Sequence, residues 1–351
     1  MENAFRHALH LSRQTVRLAY YAGHGRLTKR IAKRHPDAVH RRADVAIDRA
    51  AFRKALGDLI SDDLAQVAAG TYPAPPAFPG GPVRLLRDMI GYYRDLPETL
   101  ARRARGDARE IAIMRNGGYP RYYLQNFHYQ SGGWLSDRSA ALYDHQVETL
   151  FGGAADMMRR QGLPPLVARL RGRRRPRPRL LDIGTGTGAF LRAAATALPH
   201  LRLHGLEPSP HYRAAAARSL PRARLMGGFI EAIAEQDARF DAASAVFLFH
   251  ELPPKIRLLG LNEVSRILKP GGIFVLVDAL QHGDVLALDP LLDLFPGRFH
   301  EPYFSSWLDC DIEGLAATAG LRCVEMRLAF LAKVLIFEKP AGDDGTRSAA
   351  Q

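Results

Sequence analysis

From residue 179 to residue 340, short apolar runs alternate with helical patterns, and this alternation constrains the chain more than any other feature. Strands separated by helices lie parallel in one sheet with helices covering both faces. The runs are LLDIG (180–184), LRLHGLE (201–207), ARLMGG (223–228), FDAASAVFLF (240–249), GIFVLVDA (272–279), RCVEMRL (322–328) and KVLIFEKP (333–340). Helical patterns fall between them near 188–198, 209–219, 254–268 and 303–319. Only a few residues separate the last two runs, whereas a parallel crossover needs a dozen or more, so these two form an antiparallel hairpin. The expected fold is α/β: a doubly wound, seven-stranded, mostly parallel sheet with an antiparallel last strand, preceded by an α-helical N-terminal extension.

That sheet occupies half of a 351-residue chain, which leaves room for a second unit. Residues 2–35 and 43–69 read as helices, being rich in Ala, Leu and Arg. TYPAPPAFPGGP (71–82) holds five prolines and two glycines and supports neither a helix nor a central strand. A further helix spans roughly 83–105, and residues 1–115 are taken as a helical extension interrupted by the Pro-rich break. Residues 116–165 form an aromatic lid or cap, with GGYPRYYLQNFHYQSGGWLSD at 117–137. Its aromatics either close over a ligand or form a satellite core under the helices. Residues 166–340 are the sheet domain and 341–351 a flexible tail.

Charge is uneven along the chain. Residues 1–115 hold 21 Lys+Arg against 12 Asp+Glu, residues 166–180 hold seven arginines and no acid, and residues 181–351 are mildly acidic at 17 against 20. A basic front half suits nucleic acid or anionic lipid, or a plain solvated face. No window approaches the roughly 18 apolar residues of a membrane span. The start, MENAFRHALHLSRQTVR, lacks the apolar core of a signal peptide, so a cytoplasmic location is expected. Cys310 and Cys323 have no CxxC partner and are expected to be buried, reduced thiols.

LLDIGTGTGAF (180–190) runs from a strand ending in a carboxylate into Gly184, Gly186 and Gly188, with a helix beginning at once. Glycines let the backbone turn sharply beside a ligand, and the helix start adds exposed N–H groups. The next strand ends in Glu207, nineteen residues past Gly188, where a carboxylate can accept both hydroxyls of a ribose. The spacing is GxGxG, with Asp182 two residues ahead. In this the chain resembles the class I S-adenosylmethionine-dependent methyltransferases, and the likeness extends through GLEPSP (205–210), FDAASAVFLFHELP (240–253), RILKPGGIFVLVD (266–278) and the closing hairpin. The resemblance implies S-adenosyl-L-methionine as cofactor. It implies that Gly184, Thr185, Gly186 and Gly188 line the methionine and ribose part, that Asp182 orients the amino group through the loop, and that Glu207 holds the ribose. Pro208, Phe229, Phe247 and Tyr143 complete the implied cofactor site. Many relatives end the third strand in Gly-Asp, but here it reads Gly227-Gly228-Phe229. Adenine recognition then falls to the backbone near Phe229, to stacking, or to Glu231.

By the same resemblance the end of the fourth strand faces the methyl donor, which makes His250 and Glu251 catalytic candidates, or else caps of the next helix. His300, in RFHEPYF, lies in the long insertion before the hairpin and is a third candidate, beside Asp278, His282, Glu301 and Tyr303. An oxygen or carbon acceptor must lose a proton, which calls for such a group within hydrogen-bond reach. The histidine spacing matches no local metal pattern, so no metal is expected.

The Asn/Asp-Pro-Pro-aromatic tetrapeptide of base-methylating relatives is absent, and the expected acceptor is a small, largely apolar molecule: a quinone, phenol, lipid or secondary metabolite. The alternatives are an RNA methyltransferase that uses its basic front half, and a non-catalytic cofactor-binding protein. Peripheral membrane contact is a further expectation for the first helix, where Phe5, Leu9, Val16 and Tyr20 recur at near-helical spacing among His10, Arg13 and Arg17. Packing of that stripe against the second helix is its rival. On either view, removing residues 1–70 should leave cofactor binding intact.

Overall fold

The computed structural model describes residues 2–34, 47–111, 118–173 and 176–341, with the backbone alone for residues 2–7. The expected tail at 342–351, the start of the second predicted helix, the side chain of Phe5 and part of the arginine run lie outside the described residues.

All seven strands form. They are β1 (Arg179–Ile183), β2 (Arg202–Leu206), β3 (Arg224–Met226), β4 (Phe240–Val246), β5 (Leu268–Ala279), β6 (Arg322–Ala329) and β7 (Ala332–Glu338). The sheet order is β3-β2-β1-β4-β5-β7-β6. β1 to β5 are parallel, while β7 runs antiparallel to both β5 and β6. The order reverses between β1 and β4, so the carboxyl ends of those strands open a crevice where a doubly wound sheet binds ligands.

Among the described residues, twelve α-helices surround the sheet: α1 (Glu2–Arg34), α2 (Arg49–Ala68), α3 (Gly81–Arg105), α4 (Asp137–Leu150), α5 (Ala155–Arg160), α6 (Leu163–Leu170), α7 (Ala189–Ala197), α8 (Pro210–Ser219), α9 (Pro254–Ile267), α10 (Asp289–Arg298), α11 (Phe304–Leu308) and α12 (Ile312–Thr318). The single helix expected over 303–319 is two, because Asp311 leaves helical geometry and caps the second by accepting the Gly314 N–H at 2.8 Å. β4 is shorter than its apolar run, since Phe247 takes a left-handed φ of 54° and ends the strand. Cys310 and Cys323 are free thiols, half-buried rather than buried.

On one face of the sheet α9, α11 and α12 bury Leu261, Val264, Trp307 and Ile312. The other face is covered by α5, α6 and α7, and also by α2, whose Leu59 and Val67 join the same core. Phe52 of α2 meets Phe330 of the closing hairpin edge to face at 4.9 Å between ring centres. The extension is therefore part of the sheet domain's own packing.

α1 docks by the face beside its apolar stripe, with Tyr20 of the stripe half-buried at the border. Leu9 and Val16 are 37% and 54% exposed, whereas His10, Gln14, Arg17, Tyr21 and His24 are buried. The cause lies in the surface they meet. Asp63 of α2 accepts from His10 (2.7 Å), from Tyr72 (2.8 Å) and from Arg160 of α5 through both oxygens (2.9 and 2.8 Å). Arg17 reaches Glu148 of α4 at 2.8 Å and the Ala77 carbonyl of the Pro-rich segment at 2.7 Å. Burial opposes the Asp63 charge, yet Arg160 and His10 hold its carboxyl down at about 2. An interface of acids selects the basic and polar face of the helix.

Candidate active site

The crevice at the carboxyl ends of β1 and β4 is built first from the glycine loop. Gly184 has φ +69°, and a Cβ there would stand 3.1 Å from the Leu248 side chain. Its left-handed turn aims the N–H groups of Gly184 and Thr185 at the Leu206 carbonyl (2.9 and 3.1 Å), tying the loop to the end of β2. Glu207 completes the tie: one oxygen accepts the Gly186 N–H at 2.8 Å, the other the Ser209 N–H at 2.9 Å. Burial pushes the Glu207 carboxyl up to about 7 against these two bonds. Asp182 is raised to about 7 by burial as well, and accepts from the Ser244 hydroxyl at 2.7 Å.

Aromatic rings roof the crevice. Tyr122, Tyr123, Phe127 and Trp134 of the segment before α4 line it, together with Tyr143 and Phe229. Tyr123 meets Phe229 edge to face at 5.4 Å, and Trp134 meets Tyr143 at 5.5 Å and Tyr212 at 5.4 Å. Ser209 donates to the Trp134 carbonyl, which fastens this roof to α8. The segment is thus both a packed aromatic cluster and a wall of the crevice. Glu231 is engaged elsewhere, both its oxygens accepting from the Tyr122 hydroxyl (2.7 and 2.9 Å).

Among the residues singled out from the sequence, Asp182, Gly184, Thr185, Gly186, Glu207, Pro208, Phe229, Phe247, Tyr143 and Glu251 all line this one crevice. Gly188 stands just behind, as the N-cap of α7. Burial pushes the Glu251 carboxyl up to about 8, with nearby His250 opposing. The imidazole of His250 is not among the lining groups. Its Nδ1 meets Asp278 at 2.5 Å and its Nε2 lies 3.6 Å from Glu301. Burial would lower it, but these two carboxylates raise it to about 9. His300 is outside the crevice, its Nε2 2.8 Å from the Gln125 amide oxygen. His282 sits farther out between Asp309 and Asp293.

Two features gave no signal in the sequence. Thr187 of the loop donates to Asp144 of α4 at 2.6 Å, and Asp144 is also 3.2 Å from Arg192 of α7, so α4 is clamped to the loop. His128 takes a left-handed φ of 56° and reaches Glu301 at 2.9 Å. No local spacing announces either, because both partners come from distant segments.

A family model described as a methyltransferase domain matches residues 180–272. An uncharacterized methyltransferase of Synechocystis is 29% identical over 157 residues, which are 44% of this chain and 71% of that protein. A demethylmenaquinone methyltransferase of Thermotoga maritima is 28% identical over 130 residues, covering 37% of this chain and 52% of that protein. A TehB-like S-adenosylmethionine-dependent methyltransferase structure from Corynebacterium glutamicum superposes on 58% of this chain and all of its own, with 17% identity and a TM-score of 0.42.

Proposed function

This chain carries the catalytic domain of a class I S-adenosylmethionine-dependent methyltransferase, and from that premise we propose that it methylates a small, largely apolar acceptor in the roofed crevice at the ends of β1 and β4. The observation that carries this reading is the aromatic wall of Tyr122, Tyr123, Phe127 and Trp134 that lines the crevice with the glycine loop. A polynucleotide needs an open basic groove, and much of the chain's arginine is spent internally. Arg17 and Arg160 are buried in ion pairs, Arg169 pairs with Glu338 at 2.9 Å, Arg171 holds the Gly70 and Thr71 carbonyls, and Arg173 pairs with Asp241 at 2.9 Å. The Thermotoga relative is named for a quinone acceptor, which is consistent with an apolar one here.

The residues present fit the cofactor. Gly186 leaves open space over the loop, where a Cβ would meet only the Gly184 carbonyl at 3.9 Å. Each Glu207 oxygen accepts one backbone N–H and keeps a lone pair for a ribose hydroxyl. The rings of Phe229 and Tyr123, packed edge to face, present an apolar wall against which adenine can lie. Bound S-adenosylmethionine supplies a methyl group already activated by a positively charged sulfur, so the protein's task is alignment and exclusion of water.

Proton loss from the acceptor is assigned to Glu251. Of the three crevice carboxyls that burial raises toward working pH, where a general base is most effective, Asp182 accepts from Ser244 and Glu207 from the glycine loop, which leaves Glu251 for the proton. His250 is a positioning residue, held by Asp278 and opposing the Glu251 shift from behind. Calorimetric titration with S-adenosylhomocysteine and a screen of phenols, quinols and RNA with labelled methyl donor test the reading. Binding in the micromolar range with label transferred to phenols or quinols is expected; transfer to RNA alone would overturn the apolar acceptor.

A further inference from the structure

A second cavity, of about 350 Å3, opens between α1, α3, α4 and the end of α10. It meets the crevice at Tyr143, which lines both. Its walls are apolar, with Leu96, Leu100, Val147 and Leu150. Its charge is not balanced. Lys29, Arg103 and Arg298 line it, and among the described residues none of the three has a carboxylate partner. Arg103 lies over the Phe299 ring at 4.9 Å, where burial and neighbouring Arg298 both disfavour its charge. The acid in the wall, Asp95, is already held by Arg138 at 3.0 Å and Thr99 at 3.1 Å. The half-buried Arg103 guanidinium, with exposed Arg298 as its neighbour, stands at an apolar chamber without a carboxylate, and this favours an anion there.

The chamber is also connected to the crevice through titratable groups. His128, whose strained backbone is of the kind that gathers at functional sites, lines the chamber and contacts Glu301 at 2.9 Å. Glu301 is 3.6 Å from His250, the residue next to Glu251.

We propose that this chamber is the acceptor pocket, and that the acceptor is an apolar molecule bearing an anionic group that sits against Arg103 and Arg298 while its reactive end points past Tyr143 toward Glu251. The inference rests on the methyltransferase reading and narrows it from an apolar acceptor to an apolar anion, a carboxylate or a phosphate ester. A purely neutral molecule would leave the half-buried Arg103 without a counter-charge.

The probes are 2-naphthoate, 2-naphthyl phosphate and the neutral 2-naphthamide, titrated into the full chain saturated with S-adenosylhomocysteine. At least one anion should bind ten-fold or more tightly than the amide, and the tighter of the two identifies the headgroup. Arg103→Gln should remove that preference, leaving the amide within two-fold. Val147→Trp, or Leu100→Trp should the first fail to fold, fills the chamber and should abolish binding of all three. S-adenosylhomocysteine affinity should stay within two-fold in every variant, which doubles as the check on folding. Equal binding of amide and anions, or unchanged binding in a filled chamber, would overturn the proposal. Failure of S-adenosylhomocysteine to bind the unaltered protein would instead strike at the methyltransferase reading, and the same three probes titrated into the unliganded chain would then report on the chamber by themselves.

Discussion

Glu207 and Glu251 are carboxyl groups in one crevice, and their surroundings give them different work. Glu207 is fixed by two backbone N–H groups, so it shapes the loop and offers its remaining lone pairs. Glu207→Ala should weaken S-adenosylhomocysteine binding by about 2 kcal/mol or more, since charged-acceptor hydrogen bonds are lost on both the loop and ligand sides; calorimetry reads it directly. Burial holds Glu207 and Asp182 near 7, and the ionised forms are the better acceptors, so affinity should rise as pH climbs from 6 to 8. Glu251 carries no such backbone clamp in the crevice, and at about 8 it is mostly protonated at neutral pH. A general base with that value gives a rate that increases with pH through about 8. Glu251→Gln should abolish this limb and cost roughly 100-fold in turnover, with cofactor affinity retained; a Gln variant with the same pH profile would remove Glu251 from the role. The glycine loop and Glu207 were legible because their spacing is local. The direction of His250 was not, since Asp278 and Glu301 reach it from β5 and from the segment before α11.

Helices dock here by charge where the sequence suggests they dock by apolar stripe. Asp63 of α2 gathers His10 of α1, Tyr72 and Arg160 of α5 around one buried carboxylate. Removing one partner of a buried pair leaves the other uncompensated, at a cost of about 3 to 5 kcal/mol. Asp63→Asn should therefore lower stability by roughly that amount in denaturant unfolding, and Arg160→Met combined with it should recover part of the loss by removing the stranded cation. A loss below about 1 kcal/mol for the single variant would show that the cluster is not what seats α1. Strand positions could be read from apolar runs bounded by turns, because a fully buried strand needs nothing else to identify it. The facing of α1 could not, because a helix carrying Leu9 and Val16 beside His10 and Arg17 has two candidate faces, and the choice belongs to the acids opposite. The break at Asp309 to Asp311 likewise depends on a cap that a run of helix formers conceals.

At the scale of the whole molecule, distance along the chain misleads about independence. The glycine loop lies more than a hundred residues from α2, which suggests that the first 70 residues can be removed with cofactor binding intact. In the fold, however, Leu59 and Val67 are buried in the core over the β1–β4–β5 face, and Phe52 packs on Phe330 at the tip of the closing hairpin. Emptying a buried Leu site alone costs about 2 to 5 kcal/mol, and the truncation would also expose Met157 and Met158 of α5 and strand Arg160 without Asp63. These losses together match the whole stability of an ordinary domain, about 5 to 15 kcal/mol. A chain lacking residues 1–70 should accordingly lose its cooperative thermal transition and its S-adenosylhomocysteine binding together, while a chain lacking only residues 1–7 should keep both. Scanning calorimetry with and without S-adenosylhomocysteine distinguishes the outcomes. A truncated chain that melts cooperatively and is stabilised by the ligand would mean that α5 to α7 cover the sheet by themselves, and that the helical extension is an appendage after all.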